Sequence, residues 1–166
     1  MTVRILVLSD THIPSRTDHL PVEVIDALES SPDLILHAGD LATAEMIGFL
    51  GAYAPVKAVC GNMDPGEVRC TVPRLRELDC EGVSVAVMHG DGLKEDDVPR
   101  ALIRHFPGAD IVVSGHTHRP QLLNVDGIWM FNPGSPTDPR GGAPASFGWI
   151  ELSGGTCRFS LQTVVG

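Results

Sequence analysis

With 166 residues, 43% apolar and 20% charged, the chain has the size and composition of one soluble globular domain whose core needs no disulfide staples. A formal charge of −9 argues against a broad DNA- or RNA-binding surface, and no apolar run is long enough to span a bilayer. The first ten residues carry one basic side chain and a short apolar run ending at Ser9, which reads as a first strand rather than a signal peptide and implies a cytoplasmic protein.

In chain order, Val3 to Leu8 is apolar apart from Arg4 and predicts a strand buried on both faces, ending at Asp10-Thr11-His12. A polar loop follows, and Pro21 opens a helix whose Leu20, Val24, Ile25 and Leu28 share one face, closed off by Pro32. Asp33 to Ala38 predicts a second core strand running into Gly39-Asp40, with Thr43 as N-cap of a short helix through Leu50. Val56 to Cys60 repeats the design and ends at Gly61-Asn62-Met63-Asp64, before a Pro65-Gly66 turn. Residues 67 to 79 show no clean period and receive no assignment.

Val83 to Met88 predicts a fourth apolar strand, ending at His89, and Val98, Ala101, Leu102 and Phe106 mark a helix face. Ile111 to Ser114 then leads into Gly115-His116-Thr117-His118. Beyond Pro120, strand-like segments at 122–125, 128–131, 146–152 and 156–165 predict a β-meander, with Asn132 to Pro136 and Pro139 to Pro144 as exposed loops. Cys60, Cys70, Cys80 and Cys157 include no Cys-x-x-Cys pair and are expected to be reduced and mostly buried.

Five strands thus end in Asp10 and His12, Asp40, Asn62, His89, and His116 with His118. Two carboxylates, one amide and four imidazoles make seven potential metal ligands, and a carboxylate such as Asp40 can serve two metals where an imidazole serves one. An oxygen and nitrogen set without thiolate suits manganese, iron, nickel or zinc. Two metals roughly 3.5–4 Å apart can hold a hydroxide and clamp an in-line displacement at phosphorus, so phosphoester hydrolysis follows.

Asp10-x-His12, Gly39-Asp40, Gly61-Asn62-x-Asp64, His89 and Gly115-His116-x-His118, in this order, resemble the calcineurin-like metallophosphoesterase superfamily, and Asn132-Pro133-Gly134-Ser135 extends the similarity. Within it the chain is similar to the small phosphodiesterases, a group that also includes the Vps29 scaffold. The resemblance implies a four-layer α/β/β/α sandwich in a single domain over residues 1–166 without a cap domain. It further implies two divalent metals, manganese foremost. Asp10, His12, Asp40 and His118 would surround one, and Asp40, Asn62, His89 and His116 the other, with Asn62 also reaching the phosphate.

The chain departs from many relatives in having Met63 where a histidine acts on the leaving group. Asp64 is the next candidate: it could be a general acid, orient a histidine, or cap the Pro65-Gly66 turn. The arginine that clamps phosphate soon after Gly-Asp in the larger protein phosphatases is also missing, since Leu41-Ala42-Thr43-Ala44 follows Asp40. Among the remaining candidates, His37 reads as a hydrogen-bonded core residue, His105 as a helix C-terminal residue and His19 as a solvated loop residue. Arg16 and Arg119 flank the site, Asp91 begins a turn, and Trp129 and Trp149 pack the sheet.

The sequence therefore predicts a metal-dependent phosphodiesterase acting on small phosphodiesters, with Asn62 and Asp64 as catalytic candidates. A phosphomonoesterase or nucleotidase is the rival within enzymes, and a Vps29-like protein-binding scaffold the rival outside them. A small phosphoester is the expected partner, a homo-oligomer is allowed, and no membrane is involved.

Overall fold

The computed structural model describes residues 1–94 and 97–165. The elements run β1 (Thr2–Leu8), α1 (Val22–Glu29), β2 (Leu34–His37), α2 (Glu45–Gly51), β3 (Val56–Ala58), α3 (Gly66–Thr71) and β4 (Leu75–Cys80). They continue with β5 (Val83–Met88), α4 (Val98–His105), β6 (Ile111–Val113), β7 (Pro120–Val125), β8 (Ile128–Pro133), β9 (Ser146–Ser153) and β10 (Thr156–Thr163). The strands form two five-stranded sheets, ordered β10-β9-β1-β2-β3 and β4-β5-β6-β8-β7.

Alternation along buried strands explains the layering, because successive side chains leave opposite faces of a sheet. In β1, Ile5 and Val7 join Leu36, Val85, Val87, Ile111, Val113 and Phe131 in a core between the sheets. Leu6 and Leu8 face the other way, against Val24 and Leu28 of α1, Met46 and Leu50 of α2 and Val68 of α3. On the outer face of the second sheet, Ala86, Val112 and Met130 pack on Val98 and Leu102 of α4. The result is the expected α/β/β/α arrangement. Both faces of β1 and β6 are covered, which is why they read as continuous apolar runs rather than as alternating ones.

Three sequence expectations are corrected. The C-terminal strands are not one meander but two hairpins in different sheets: β7–β8 is attached through β8 parallel to β6, and β9–β10 through β9 antiparallel to β1. Turn chemistry reports that two strands are joined but not which sheet receives them. Thr43 does not cap α2, whose N-cap is Ala44 in helical geometry with no side-chain bond. Among the cysteines only Cys60 is buried; Cys70 is exposed on α3, and Cys80 and Cys157 are intermediate on strands β4 and β10, all four being free thiols. The segment left unassigned forms α3 and β4, and β4 alternates between exposed and half-buried residues as an edge strand. No helix among the described residues is long and apolar enough to cross a membrane.

Candidate metal centre

The parallel strands β1, β2, β5 and β6 deliver their C-terminal loops to one edge shared by both sheets, and backbone bonds knit these loops together. Asp10 N–H donates to Gly39 O at 2.9 Å, His12 N–H to Asp40 O at 3.1 Å, and Gly115 N–H to His89 O at 3.0 Å. Asp10, His12, Asp40, His116 and His118 all adopt positive φ, between 47° and 68°. Such backbone costs a non-glycine residue about 1–3 kcal/mol and persists only where surrounding structure enforces it. Two glycines let the loops close: a Cβ at Gly61 would lie 2.1 Å from Asp40 Oδ1, and one at Gly115 would lie 1.9 Å from Ser9 Oγ and 2.7 Å from Asp10 Oδ2.

The donor atoms of Asp10, His12, Asp40 and His118, all buried, lie within 4.8 Å of one another. Each carboxylate is held by one oxygen and presents the other. Asp10 Oδ2 accepts from Ser9 Oγ at 2.6 Å and His116 N at 3.0 Å, and Oδ1 faces His118 Nε2 at 3.2 Å. Asp40 Oδ1 accepts from Met63 N at 2.8 Å, while Oδ2 stands 3.6 Å from His12 Nε2 and 3.3 Å from His89 Nε2. A single oxygen of Asp40 thus adjoins both groups of imidazoles.

The histidine tautomers are set from behind. His89 Nδ1–H donates to Ala38 O at 2.7 Å and His118 Nδ1–H donates to Asp138 O, which turns both Nε2 atoms toward the cluster, where each offers a lone pair once deprotonated. Asp10 Oδ1 and His89 Nε2 are buried without any hydrogen-bond partner. Buried polar atoms are rarely left unpaired, and two facing one spot inside an oxygen and nitrogen donor set fit a divalent cation.

The electrostatics match that reading. Burial pushes the Asp10 carboxyl up, but the His118 imidazole 3.2 Å away and the charge of His89 outweigh it and hold Asp10 below the ordinary carboxylate range. Asp40 behaves likewise, with His89 opposing burial. His89 is pushed up to about 9 because Asp40 and Asp10 outweigh its burial, and Asp10 raises His118 in the same way. Burial lowers His12 and His116.

Of the other predicted residues, His116 is half-buried with its ring 5.2 Å from that of His89. Asn62 is exposed, and the structure gives its side chain no contact with the cluster; its carbonyl accepts from Arg69 Nη2 at 2.6 Å. Asp64 is buried, and its carboxylate accepts from the N–H groups of Gly61 at 2.7 Å, Ala42 at 2.8 Å and Asp40 at 3.0 Å. These bonds tie the Asp40 loop to the Asn62 loop. Met63 is exposed. His37 is fully buried, bonds Thr11 Oγ1 at 3.1 Å, and is pushed down to about 4 by burial. His19 is exposed, His105 lies in the last turn of α4, and Asp91 pairs with Arg74 at 2.8 Å.

Asn132 to Pro136, expected as an exposed loop, is instead buried. Asn132 Nδ2 donates to Gly115 O at 2.9 Å, and Ser135 Oγ donates to Asp10 O at 2.7 Å, so the segment clamps the two ligand loops from below. Ser135 belongs to the Asn132-Pro133-Gly134-Ser135 run, whereas Asp138 and Arg69 carry no signal in the sequence.

A calcineurin-like phosphoesterase superfamily domain matches residues 3–155, and the chain belongs to that superfamily. A probable metallophosphoesterase of Methanothermobacter thermautotrophicus is 40% identical over 137 residues, covering 81% of this chain and 77% of that protein. A second probable metallophosphoesterase, from Methanocaldococcus jannaschii, is 39% identical over 141 residues, covering 84% of this chain and 71% of that protein. Vacuolar protein sorting 29 from Cryptosporidium parvum superposes with a TM-score of 0.80 over 97% of each chain at 21% identity, a likeness of fold alone.

Proposed function

We propose that the protein is a phosphodiesterase that works with two divalent cations, manganese foremost, on small phosphodiesters. The observation that carries this reading is Asp40 Oδ2, set between His12 Nε2 and His89 Nε2 beside the partnerless Asp10 Oδ1. Asp10, His12, Asp40 and His118 would hold one cation, and Asp40, Asn62, His89 and His116 the other. When bound, the cations supply charge neutralisation at phosphorus and an activated water.

The chain's own residues supply the rest. Ser9 and the His116 N–H hold Oδ2 of Asp10 and the Met63 N–H holds Oδ1 of Asp40, which leaves the other oxygen of each free for the cluster, and the Ala38 and Asp138 carbonyls fix the tautomers of His89 and His118. Asn62 is exposed on the loop after β3, and its amide would serve the second cation and the phosphate. Asp64 is assigned the positioning role among its alternatives, because all three of its bonds are accepted from loop N–H groups. With exposed Met63 unable to donate a proton, diesters with good leaving groups should be preferred.

Comparing bis(p-nitrophenyl) phosphate with p-nitrophenyl phosphate on manganese-loaded protein tests the order of substrates. Faster diester turnover is expected, and faster monoester turnover would make the protein a phosphomonoesterase. The fold likeness to Vps29 keeps the scaffold reading in view. It is disfavoured because every predicted ligand side chain is retained, and because the cluster maintains strained backbone that a docking surface would not need.

A further inference from the structure

The last loop of the site carries charge that the metal cluster does not use. Thr137 to Gly142 is locked to the first ligand loop: Thr137 Oγ1 donates to Thr11 O at 2.7 Å and Asp138 N–H to Ser135 Oγ at 2.9 Å. On this anchored loop, Asp138 Oδ2 receives three cationic or polar neighbours at one distance. Arg16 Nε, Arg140 Nη2 and His118 Nδ1 each lie 3.4 Å from it. Arg119, next to His118 in the chain, lays its guanidinium over Gly141, where a Cβ would fall 2.4 Å from Nη2.

Three guanidiniums from three separate loops therefore gather on one rim beside the His118 side of the cluster. Among the described residues, Asp138 is the carboxylate that pairs with Arg16 and Arg140, so two cations share one anion. Both side chains remain about half exposed, at 54% and 48%. A net positive rim on a chain of charge −9 is a local feature, not the overflow of a basic surface. Guanidiniums offer a planar fork of donors that matches phosphate oxygens.

We propose that Arg16, Arg119 and Arg140 form an anion subsite for a second phosphoryl group carried by the substrate next to the scissile diester. This rests on the phosphodiesterase reading and narrows it: the preferred substrates are phosphodiesters that also bear a terminal phosphate. The scissile phosphorus occupies the cluster, and the second phosphate is met by the arginine rim on the side of His118.

The test compares a dinucleoside monophosphate with the same dinucleotide carrying a terminal phosphate, with bis(p-nitrophenyl) phosphate as reference. The expected result is a kcat/KM ratio of roughly tenfold or more in favour of the phosphorylated dinucleotide, falling toward one in Arg16→Ala/Arg140→Ala and falling only partway in Arg16→Lys, which keeps the charge without the fork. A ratio near one in the parent, while the reference diester is hydrolysed, overturns the subsite and leaves the diesterase reading standing. Binding of inorganic pyrophosphate to the metal-free full chain provides a readout without turnover. It should weaken about tenfold in the double variant and weaken with added salt, and equal binding by both proteins would overturn the subsite. Failure to hydrolyse the reference diester at any metal loading would count against the diesterase reading, and pyrophosphate binding would then decide the subsite alone.

Discussion

Asp40 concentrates the chemistry of the site in one side chain, since Oδ1 is fixed by the Met63 N–H and Oδ2 is turned to His12 and His89. Asp40→Asn replaces a charged oxygen that serves both imidazole groups, and should reduce both metal stoichiometry and turnover by two orders of magnitude or more. Metal analysis after gel filtration, with an assay on the same fractions, reads both, and unchanged turnover in a metal-verified variant contradicts the bridging role. Asp64 makes a different prediction. Asp64→Asn turns an NH2 group toward N–H donors and should destabilise the fold by about 1–3 kcal/mol, measured by urea unfolding. Its pH–rate profile should keep the parent's shape, whereas loss of one limb would identify Asp64 as the proton donor. His89 supplies the pH dependence: held near 9 without metal, it must give up a proton before Nε2 can act as a ligand. Metal affinity should therefore rise with pH up to about 9, with protons released at pH 7.5, as calorimetry in buffers of different ionisation enthalpy would show. An affinity flat between pH 6 and 9 would argue against His89 as a ligand.

The candidate ligands were readable because each follows a buried strand, where polar side chains at the sheet edge have no packing explanation. Asp10 and His12 after β1, Asp40 after β2 and His116 with His118 after β6 all carry this signature. What was not readable is the support behind them, because it consists of backbone carbonyls and loop contacts across the chain. Ala38 O and Asp138 O leave no mark on composition, and Asn132 to Ser135 reads as a loop although its polar groups are spent inside the protein. The clamp predicts a measurable effect: Asn132→Ala should lower metal affinity roughly 10- to 100-fold, as is usual for partners that orient ligands, with little change in far-ultraviolet circular dichroism. Element pairing was partly hidden for a related reason. The hairpins β7–β8 and β9–β10 have similar turn chemistry and both turn side chains, Phe131 and Ile150, into the core between the sheets, so the pairing of β8 with β6 and of β9 with β1 is not visible in their pattern.

At the scale of the molecule, the two sheets act as a rigid frame that brings five loops to one edge and imposes strained backbone there. His37 sits in that frame as a buried neutral imidazole held near 4. Its folded value lies below the ordinary 6.5, so the unfolded chain takes up the extra proton between pH 6.5 and 4. The stability this group contributes is complete above pH 6.5 and is lost as pH falls toward 4, amounting to about 3 kcal/mol at most. Unfolding midpoints of the parent and His37→Asn at pH 7 and pH 5 should converge on acidification; a constant gap would contradict the assignment. The most direct measurement of the central claim is hydrolysis of bis(p-nitrophenyl) phosphate by metal-stripped protein titrated with manganese. The predicted result is negligible turnover at zero metal, rising to a plateau at two equivalents per chain and abolished by chelator; no turnover at any loading, or turnover that survives complete metal removal, would contradict it.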